Sequence, residues 1–236
     1  MIIIPMVGKS SRFYNEGYKI PKYELKIENH SVFYYAVRSF KNYFENEFFL
    51  FIVRGDNGAE LFVRHQIKLL NIKNFFISVL NNDTNGQADT VYQGLERVKN
   101  QESLYIFNID TFRPNFIKPK IALQCDGFLE VFEGEGENWS FVQPGENNKV
   151  IKTTEKNRIS NLCSNGLYYF KNRQIFEETF KYSVMERKMD KDEYYIAPLY
   201  NYLINKGMDI RYEIISKNKI IFCGTPKEYL NLVSKK

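Results

Sequence analysis

The sequence predicts an α/β protein of one domain with a mixed sheet, mostly parallel in the first half of the chain and antiparallel in the second. Three observations support this prediction. The length of 236 residues fits one large domain. In the first half, short apolar runs alternate with segments of helical periodicity, which is typical of βαβ units. In the second half, short strand-like segments follow one another with few helical segments between them.

The first half is predicted to contain four strands and three helices. Apolar runs that end in turn residues indicate strands, and apolar residues that recur every three or four positions indicate amphipathic helices. The predicted strands span residues 2–6, 48–53, 75–79 and 104–109, and the predicted helices span 31–44, 59–70 and 87–98.

The second half is predicted to add short strands, then helices, then a final helix. Gly207 is well placed to end a helix, and Pro226 is favoured in a first helical turn. The predicted strands span residues 127–132, 138–142, 150–154, 167–170, 210–215 and 219–222, and the predicted helices span 173–182 and 193–205 with a last one near residue 226.

Composition excludes several classes of protein. The net charge of +5 comes from scattered residues without a basic stripe, so a nucleic-acid surface is not expected. No apolar run reaches the ~18 residues that a membrane span needs, and we expect a cytoplasmic protein. Three cysteines without a CxxC pair predict neither a disulfide framework nor a zinc site. Because the chain has only two histidines, a mechanism that depends on histidine as a base or a metal ligand is disfavoured. Whether the chain forms a homo-oligomer stays open.

A small-residue loop follows the first predicted strand. In parallel α/β sheets, such a loop at the carboxyl end of a strand binds nucleotide phosphates. Gly8 permits close backbone approach, and the hydroxyls of Ser10 and Ser11 can form hydrogen bonds. Arg12 offers bidentate phosphate contacts, and Lys22 offers a compact positive charge. The loop matches neither GxxxxGK[ST] nor GxGxxG.

Asp110 follows the fourth predicted strand in the segment Asn108-Ile109-Asp110. An acidic residue at the carboxyl end of a central strand, beside a phosphate loop, is well placed to hold Mg²⁺ on triphosphate oxygens. A turn-forming role is the alternative, because Asp is common in turns.

The segments IIIPMVGKSSRF and GYKIPK resemble the opening of the nucleotidyltransferases that make nucleotide-activated sugars, and of related cytidylyltransferases. That family begins with an apolar strand, a glycine-rich loop ending in Ser/Thr-Arg, and a Pro-Lys pair. The second loop glycine of the family is Ser10 here. The resemblance covers nearly the whole chain and implies a Rossmann-like, GT-A-like mixed sheet. Arg12 and Lys22 would be catalytic, with Lys22 on the phosphates of the nucleotide or of the second substrate.

The resemblance also implies roles for residues further along the chain. Asp110 would bind Mg²⁺. Capping turns and a tyrosine-rich core strand are the alternatives for the later segments. The nucleotide-binding residues would be Val7, Gly8, Ser10, Ser11, Gly86, Gln87 and Ala88, and the acceptor-binding residues would be Glu155, Lys156, Gly166, Tyr168 and Tyr194.

By this resemblance, the reaction joins a nucleoside triphosphate, with CTP favoured, to a phosphorylated sugar, polyol or similar acceptor, and releases pyrophosphate. The product would serve bacterial capsule or other surface polysaccharide synthesis. Residues 1–115 would form the nucleotide-binding half and residues 116–236 the acceptor-binding half. An attacking phosphate oxygen is already anionic, so no general base is needed, in agreement with the scarcity of histidine.

Two alternatives share the fold. A GT-A-type glycosyltransferase is one, although such enzymes usually carry Asp-x-Asp where this chain has Asn-Ile-Asp. A catalytically inactive nucleotide-binding regulatory protein is the other. It is supported by Phe222 and Cys223, which stand before Gly224 where many sugar-nucleotide pyrophosphorylases have a second metal-binding Asp. Asp126 is a candidate to substitute for that ligand.

Overall fold

The computed structural model describes residues 1–56 and 58–234, and a mixed β-sheet forms the centre of this part of the chain. Within the described residues the sheet has nine strands, seven of them in the order β10-β9-β11-β6-β1-β4-β5, while β8 pairs with β11 and β12. Two short two-stranded ribbons, β2-β3 and β7-β13, flank it. The strands are β1 Ile2–Pro5, β2 Lys26–Ile27, β3 His30–Ser31, β4 Phe48–Arg54, β5 Asn74–Leu80, β6 Leu104–Phe107, β7 Thr111–Phe112, β8 Gly127–Glu133, β9 Ser140–Pro144, β10 Val150–Glu155, β11 Leu162–Phe170, β12 Ile210–Ile214 and β13 Ile221–Phe222.

Helices cover both faces of the sheet. Short 3₁₀ turns at Lys22–Glu24, Lys41–Tyr43, Lys120–Leu123, Glu146–Asn148 and Lys217–Lys219 connect some of the elements. The α-helices are α1 Ser11–Asn15, α2 Val32–Arg38, α3 Ala59–Leu70, α4 Gln87–Leu95, α5 Arg173–Met185, α6 Ile196–Asn205 and α7 Pro226–Val233.

The first half of the chain builds a parallel sheet, as predicted. Strand β1 lies between β4 and β6 and runs parallel to both, with Ile3 opposite Leu50 on one side and Ile106 on the other. Strand β5 extends the parallel sheet beyond β4. Strand β4 is apolar from Phe48 to Val53 because both of its faces are covered. Its residues Phe49 and Phe51 pack into the layer that contains α2 and α3, and Leu50 packs into the opposite layer with α4 and α6.

The second half adds antiparallel strands, also as predicted. Strand β11 runs antiparallel to β6 and to β8, and β9 pairs antiparallel with β10. One strand departs from this pattern, because β12 runs parallel to β8. Helices α5 and α6 separate β11 from β12 and make that parallel return possible, since a parallel pair needs a long crossover.

Three predicted helices are shorter than expected: the helix predicted over 87–98 ends at Leu95, and tertiary contacts explain the other two differences. The helix predicted over residues 31–44 ends at Arg38 and continues as a 3₁₀ turn; the Ser39 hydroxyl accepts the backbone N–H of Arg113. The helix predicted over 193–205 begins at Ile196, because the backbone of Tyr194 pairs with the segment before α4. Among the helices of the described residues, none has the length and apolar character needed to cross a membrane.

Candidate active site

Two adjoining cavities open at the carboxyl ends of the parallel strands. The larger has a volume of about 830 Å³ and reaches from α1 to β9, β11 and α7. The smaller has a volume of about 520 Å³ and lies against the loop after β1 and the start of α4. The residues that line both are Ser11, Lys22, Gln87, Asn108, Asp110 and Glu193. Ligands of open α/β sheets bind at this edge.

The loop after β1 is held by a hydrogen bond to the Pro-Lys segment. The Ser10 hydroxyl accepts the backbone N–H of Lys22 at 3.1 Å. Ser10 has φ 51° and ψ 29°, the left-handed conformation that a glycine adopts without strain. The buried ring of Phe13 anchors α1 directly after the loop. The serine therefore keeps a glycine-like backbone and adds a side-chain contact to Lys22.

Lys22 and Asp110 form an ion pair where the cavities meet. Lys22 Nζ lies 2.5 Å from Asp110 Oδ2, and each side chain is about one-fifth exposed, at 22% and 21%. The Asp110 carbonyl accepts the backbone N–H of Cys223 at 2.8 Å, which ties this strand end to β13. The tertiary fold thus brings together two charged residues that are 88 positions apart in the chain.

Asn108 lies beside this pair and connects three elements. Its backbone N–H donates to the Gly166 carbonyl at 3.1 Å, and its Oδ1 accepts Gln87 Nε2 at 2.6 Å. A Cβ on Gly166 would lie 2.3 Å from Asn108 Nδ2, so a side chain there would displace the amide. Gly166 lines the larger cavity, but the space that its missing side chain leaves is filled by Asn108.

The segment before α6 closes onto the start of α4. Tyr194 donates its backbone N–H to the Asn85 carbonyl at 2.7 Å and accepts the Ala88 N–H at 2.9 Å. Gly86, at φ 108°, makes this approach possible, because a Cβ there would lie 2.7 Å from the backbone N and O of Tyr194. Asp89 Oδ2 accepts the Asn85 N–H at 2.7 Å and completes the turn.

The far wall of the larger cavity combines aromatic rings with a buried carboxylate. The Glu155 side chain is 7% exposed; it accepts the Ser140 hydroxyl at 2.5 Å, and burial raises the pKa of its carboxyl. Burial also raises the pKa of Tyr168 to about 12, so its hydroxyl stays protonated. The rings of Trp139 and Phe222 pack at a centroid distance of 4.8 Å.

The rim of the smaller cavity carries an ion-pair chain. Asp83 accepts Lys9 Nζ at 2.7 Å and Arg54 at 2.7 Å, and Arg54 also donates to Asp56 at 2.8 Å. The hydrogen bond from Lys9, followed by that from Arg54, lowers the pKa of Asp83. Because these groups are largely exposed, the ion pairs hold the side chains of the rim in place but contribute little to the stability of the fold.

Solved structures with this architecture decide the family. The nucleoside-diphosphate-sugar pyrophosphorylase from Vibrio cholerae RC9 is 47% identical to this chain, covers 100% of both chains and superposes with a TM-score of 0.96. The chain belongs to the nucleotidyltransferase family. No protein-family model matches the chain. No curated protein matches it.

More distant structures share the fold of this nucleotidyltransferase. The inositol-1-phosphate CTP transferase from T. maritima is 14% identical, with a TM-score of 0.73 over 99% of this chain and 94% of the other. A UDP-glucose pyrophosphorylase complexed with UDP-glucose is 16% identical, with a TM-score of 0.74 over 98% and 96%. Both confirm the predicted mixed α/β sheet, and the nearer relative supports nucleotidyl transfer as the enzyme class.

Most of the predicted site residues of the nucleotidyltransferase line one or both cavities. The start of the phosphate loop and the start of α4 face the smaller cavity, whereas Ser10, Arg12 and the β10 and β11 residues face the larger one. The predicted residues that line a cavity are Val7, Gly8, Ser10, Ser11, Arg12, Lys22, Gly86, Gln87, Asp110, Glu155, Gly166 and Tyr168.

Three predicted binding residues lie outside the described linings of both cavities. The Tyr194 ring turns into the core against Phe180, and its neighbour Tyr195 lines the larger cavity instead. Lys156 donates to the Tyr195 hydroxyl at 2.7 Å and lies 3.5 Å from Glu155 Oε1, so it adjoins the site through two residues that line the larger cavity. Ala88 is fully buried, and its N–H is already bonded to the Tyr194 carbonyl. Direct contact of these three residues with a ligand stays a prediction that their positions do not support.

The donor set at Asp110 fits a metal that is bound partly by substrate. Among the described residues, no three His, Cys, Asp or Glu side chains gather as metal ligands. Mg²⁺ commonly uses one or two carboxylates together with substrate phosphates and water, and the Asp110 carboxylate at the junction suits that mode. Glu228 is a carboxylate in the same region, since Asp110 Oδ2 and Glu228 Oε2 lie 3.0 and 3.8 Å from the point that a Gly224 Cβ would occupy, but Glu228 Oε2 already accepts the backbone N–H groups of Gly224 and Thr225.

Asp126, the candidate for a second metal ligand, and Phe222, which stands where many relatives have that ligand, both make other contacts. Asp126 lines neither cavity in the described structure and is bonded to Lys171 at 3.0 Å and to the backbone N–H of Asp209 at 3.0 Å. Phe222 packs between Trp139 and Phe132. Its ring is part of the apolar wall.

Several cavity residues of the nucleotidyltransferase have no clear signal in the sequence. Asn108 stands two residues before the predicted Asp110, but its hydrogen bond with Gln87, a predicted nucleotide-binding residue, depends on the packing of α4 against the end of β6. Trp139 is the single tryptophan of the chain, and nothing in the sequence assigns it to the site. Glu193 and Glu228 are ordinary helix-start carboxylates in the sequence, and only the packing of α6 and α7 brings them to the cavities.

Proposed function

We propose that this enzyme transfers the nucleotidyl group of a nucleoside triphosphate to a phosphorylated sugar, polyol or similar small acceptor and releases pyrophosphate. The observation that carries the proposal is the meeting of two cavities at Lys22 and Asp110. The smaller cavity would hold the nucleotide and the larger one the acceptor. The reacting phosphates then meet at the shared residues.

The two halves of the chain contribute unequally to the two cavities. The smaller cavity is lined by residues from Pro5 to Asp110 and by Glu193 alone from the second half. The larger cavity draws on both halves. This supports residues 1–115 as the nucleotide-binding half, and residues 116–236 as the half that completes the acceptor site.

The chemistry requires positioning and charge neutralisation. The acceptor phosphate is anionic at neutral pH and attacks the α-phosphorus without a general base. Lys22 lines both cavities and would neutralise charge on the pentavalent centre and the departing pyrophosphate. Arg12 is exposed and lines the larger cavity, where its guanidinium would bind phosphate oxygens.

Asp110, with phosphate oxygens and water, would hold Mg²⁺. When bound, the metal would neutralise negative charge on the phosphate oxygens. In the structure, the Lys22 ammonium is paired with Oδ2 of Asp110. When metal and substrate bind together, this ammonium would leave the carboxylate and pair with a phosphate.

CTP is the favoured nucleotide. The support is the resemblance to small bacterial cytidylyltransferases. A fold shared with the inositol-1-phosphate CTP transferase is compatible with this choice. We expect the reaction to take place in the cytoplasm and its product to enter bacterial surface polysaccharide synthesis.

Incubation with each of the four nucleoside triphosphates, Mg²⁺ and a panel of sugar and polyol phosphates tests the proposal. We expect pyrophosphate release that requires both substrates and is fastest with CTP. A ligand at 100 times its Kd should also stabilise the protein by about 2.7 kcal/mol in thermal-shift experiments. Glycosyl transfer from a nucleotide sugar without pyrophosphate would indicate the glycosyltransferase alternative. Nucleotide binding without turnover across the panel would indicate a regulatory protein.

A further inference from the structure

We propose that Asn108 is a further substrate-contacting residue: its side-chain N–H₂ donates a hydrogen bond to the α-phosphoryl group, and Gln87 holds the amide in the donating orientation. This rests on the proposed nucleotidyl transfer and goes beyond it by assigning a neutral donor to the reaction centre. Neither residue carries a charge that would reveal this role in the sequence.

In the structure, Gln87 binds the carbonyl end of the Asn108 amide and leaves the NH₂ end for the substrate. Gln87 Nε2 donates to Asn108 Oδ1 at 2.6 Å, so the carbonyl end of the amide points to α4. The backbone N–H of Asn108 donates to the Gly166 carbonyl at 3.1 Å, which fixes the main chain as well. The NH₂ end is therefore oriented before any substrate binds, as an efficient transition-state donor requires.

Gly166 leaves room for this amide. Its virtual Cβ would lie 2.3 Å from Asn108 Nδ2 and 2.5 Å from Cγ, contacts that no real side chain tolerates. The backbone at Gly166 has φ 88°, which also favours glycine. The resemblance assigns Gly166 to the acceptor site. In the structure, Gly166 makes room for the Asn108 side chain, which in this proposal contacts the reacting phosphate.

The NH₂ group is free to meet a ligand. Within the described part of the chain, Asn108 Nδ2 donates to no protein acceptor. The buried side-chain polar atoms without a hydrogen bond in this part of the chain are Glu24 Oε1 and Ser78 Oγ. Because Nδ2 has no partner and is not one of these buried atoms, it is accessible from the cavity. Asn108 lines both cavities, as do Lys22 and Asp110. A donor at this junction faces the position where nucleotide and acceptor phosphates must meet.

A purely structural role for Asn108 is the competing explanation, because its bonds connect β6 with α4 and β11. The two explanations differ in how a variant responds to the substrate. If Asn108 has only a structural role, its replacement changes the stability of the protein and affects the turnover of all substrates alike. A donor to one non-bridging α-oxygen changes the discrimination between the two α-thiotriphosphate diastereomers, in which sulfur replaces one oxygen or the other.

The test compares Asn108→Asp and Asn108→Ala with wild type in pyrophosphate release from the Rp and Sp α-thio forms of the preferred nucleotide. Asn161→Asp is the matched control: Asn161 is exposed, lies outside both cavities, and its Oδ1 also accepts a side-chain donor, from Arg158 at 2.7 Å. We expect kcat to fall about 100-fold in both Asn108 variants, the usual effect of removing one oriented donor. The preference for one diastereomer should fall by about tenfold, and the control should match wild type.

Gln87→Met provides a second variant that leaves Asn108 in place. We expect a smaller loss of kcat, and no further loss when Gln87→Met is added to Asn108→Ala, because Gln87 acts through the amide. Unchanged diastereomer preference in folded Asn108 variants would overturn the inference while leaving nucleotidyl transfer intact. A wild-type enzyme that releases no pyrophosphate would instead reject the proposed function, and this inference with it.

Discussion

Lys22 Nζ lies 2.5 Å from Asp110 Oδ2, where the two cavities meet. In the proposed reaction, this ammonium neutralises the departing pyrophosphate. Lys22→Ala should therefore lower turnover about 100-fold or more, which corresponds to about 3 kcal/mol of transition-state stabilisation. Pyrophosphate release measures the effect. Lys26→Ala, which removes an exposed lysine outside both cavities, should keep wild-type activity. Near-normal release from Lys22→Ala would contradict the assignment.

The same ion pair predicts competition between Lys22 and a divalent cation for Asp110. Lys22→Met removes the ammonium but keeps a similar apolar stem, so the free protein should bind Mn²⁺ about tenfold more tightly, a change of about 1.4 kcal/mol. Titration with Mn²⁺, followed by electron paramagnetic resonance, measures this affinity in the absence of turnover. Asp110→Asn should abolish the gain when combined with Lys22→Met. Equal Mn²⁺ affinity in wild type and Lys22→Met would show that the ion pair does not compete with metal.

Ser10 combines a left-handed backbone with a hydrogen bond to the Lys22 N–H. Ser10→Ala loses the bond and keeps the strain, so the free energy of unfolding should fall by about 1 kcal/mol. Ser10→Gly loses the bond but relieves the strain, and should stay within about 0.5 kcal/mol of wild type. Urea denaturation compares the two. The prediction fails if the glycine variant is the less stable one.

Gly86 and Gly17 both have positive φ, at 108° and 90°, but only Gly86 is crowded. A Cβ on Gly86 would meet the Tyr194 backbone at 2.7 Å, whereas nothing lies within 4 Å of one on Gly17. Gly86→Ala should therefore lower stability by about 2 kcal/mol more than Gly17→Ala, because both positions have a positive φ but Gly86 adds the crowding and a ψ of −179°, which is essentially limited to glycine. It should also raise the KM values for nucleotide and acceptor, because the Tyr194 segment precedes Tyr195 in the acceptor cavity. Equal losses in the two variants would exclude the steric cause.

The buried thiols predict a pH dependence of stability. Burial raises the pKa of Cys223 to about 12 and that of Cys125 to about 11, whereas thiols in an unfolded chain titrate near ~8.5. Above that pH the unfolded chain loses protons that the folded protein keeps. Stability should therefore fall as the pH rises from about 8.5 towards about 11, by up to ~1.4 kcal/mol per pH unit for each thiol. Chemical denaturation of wild type and of Cys125→Ala, between pH 8 and 10.5, measures the difference. The variant should show the shallower slope, and parallel slopes would contradict the prediction.

The sequence by itself determined the sheet class, the order of most elements and the two charged residues at the junction. Apolar periodicity is local, and the strand that ends in Asp110 and the loop that precedes Lys22 are both continuous segments. Only the tertiary structure decided that Tyr195, and not Tyr194, lines the larger cavity, since a one-residue change of register in an extended segment reverses the side chains. It also decided that the space beside Gly166 belongs to Asn108. Such contacts join residues distant in the chain, and no local pattern encodes which of them will meet.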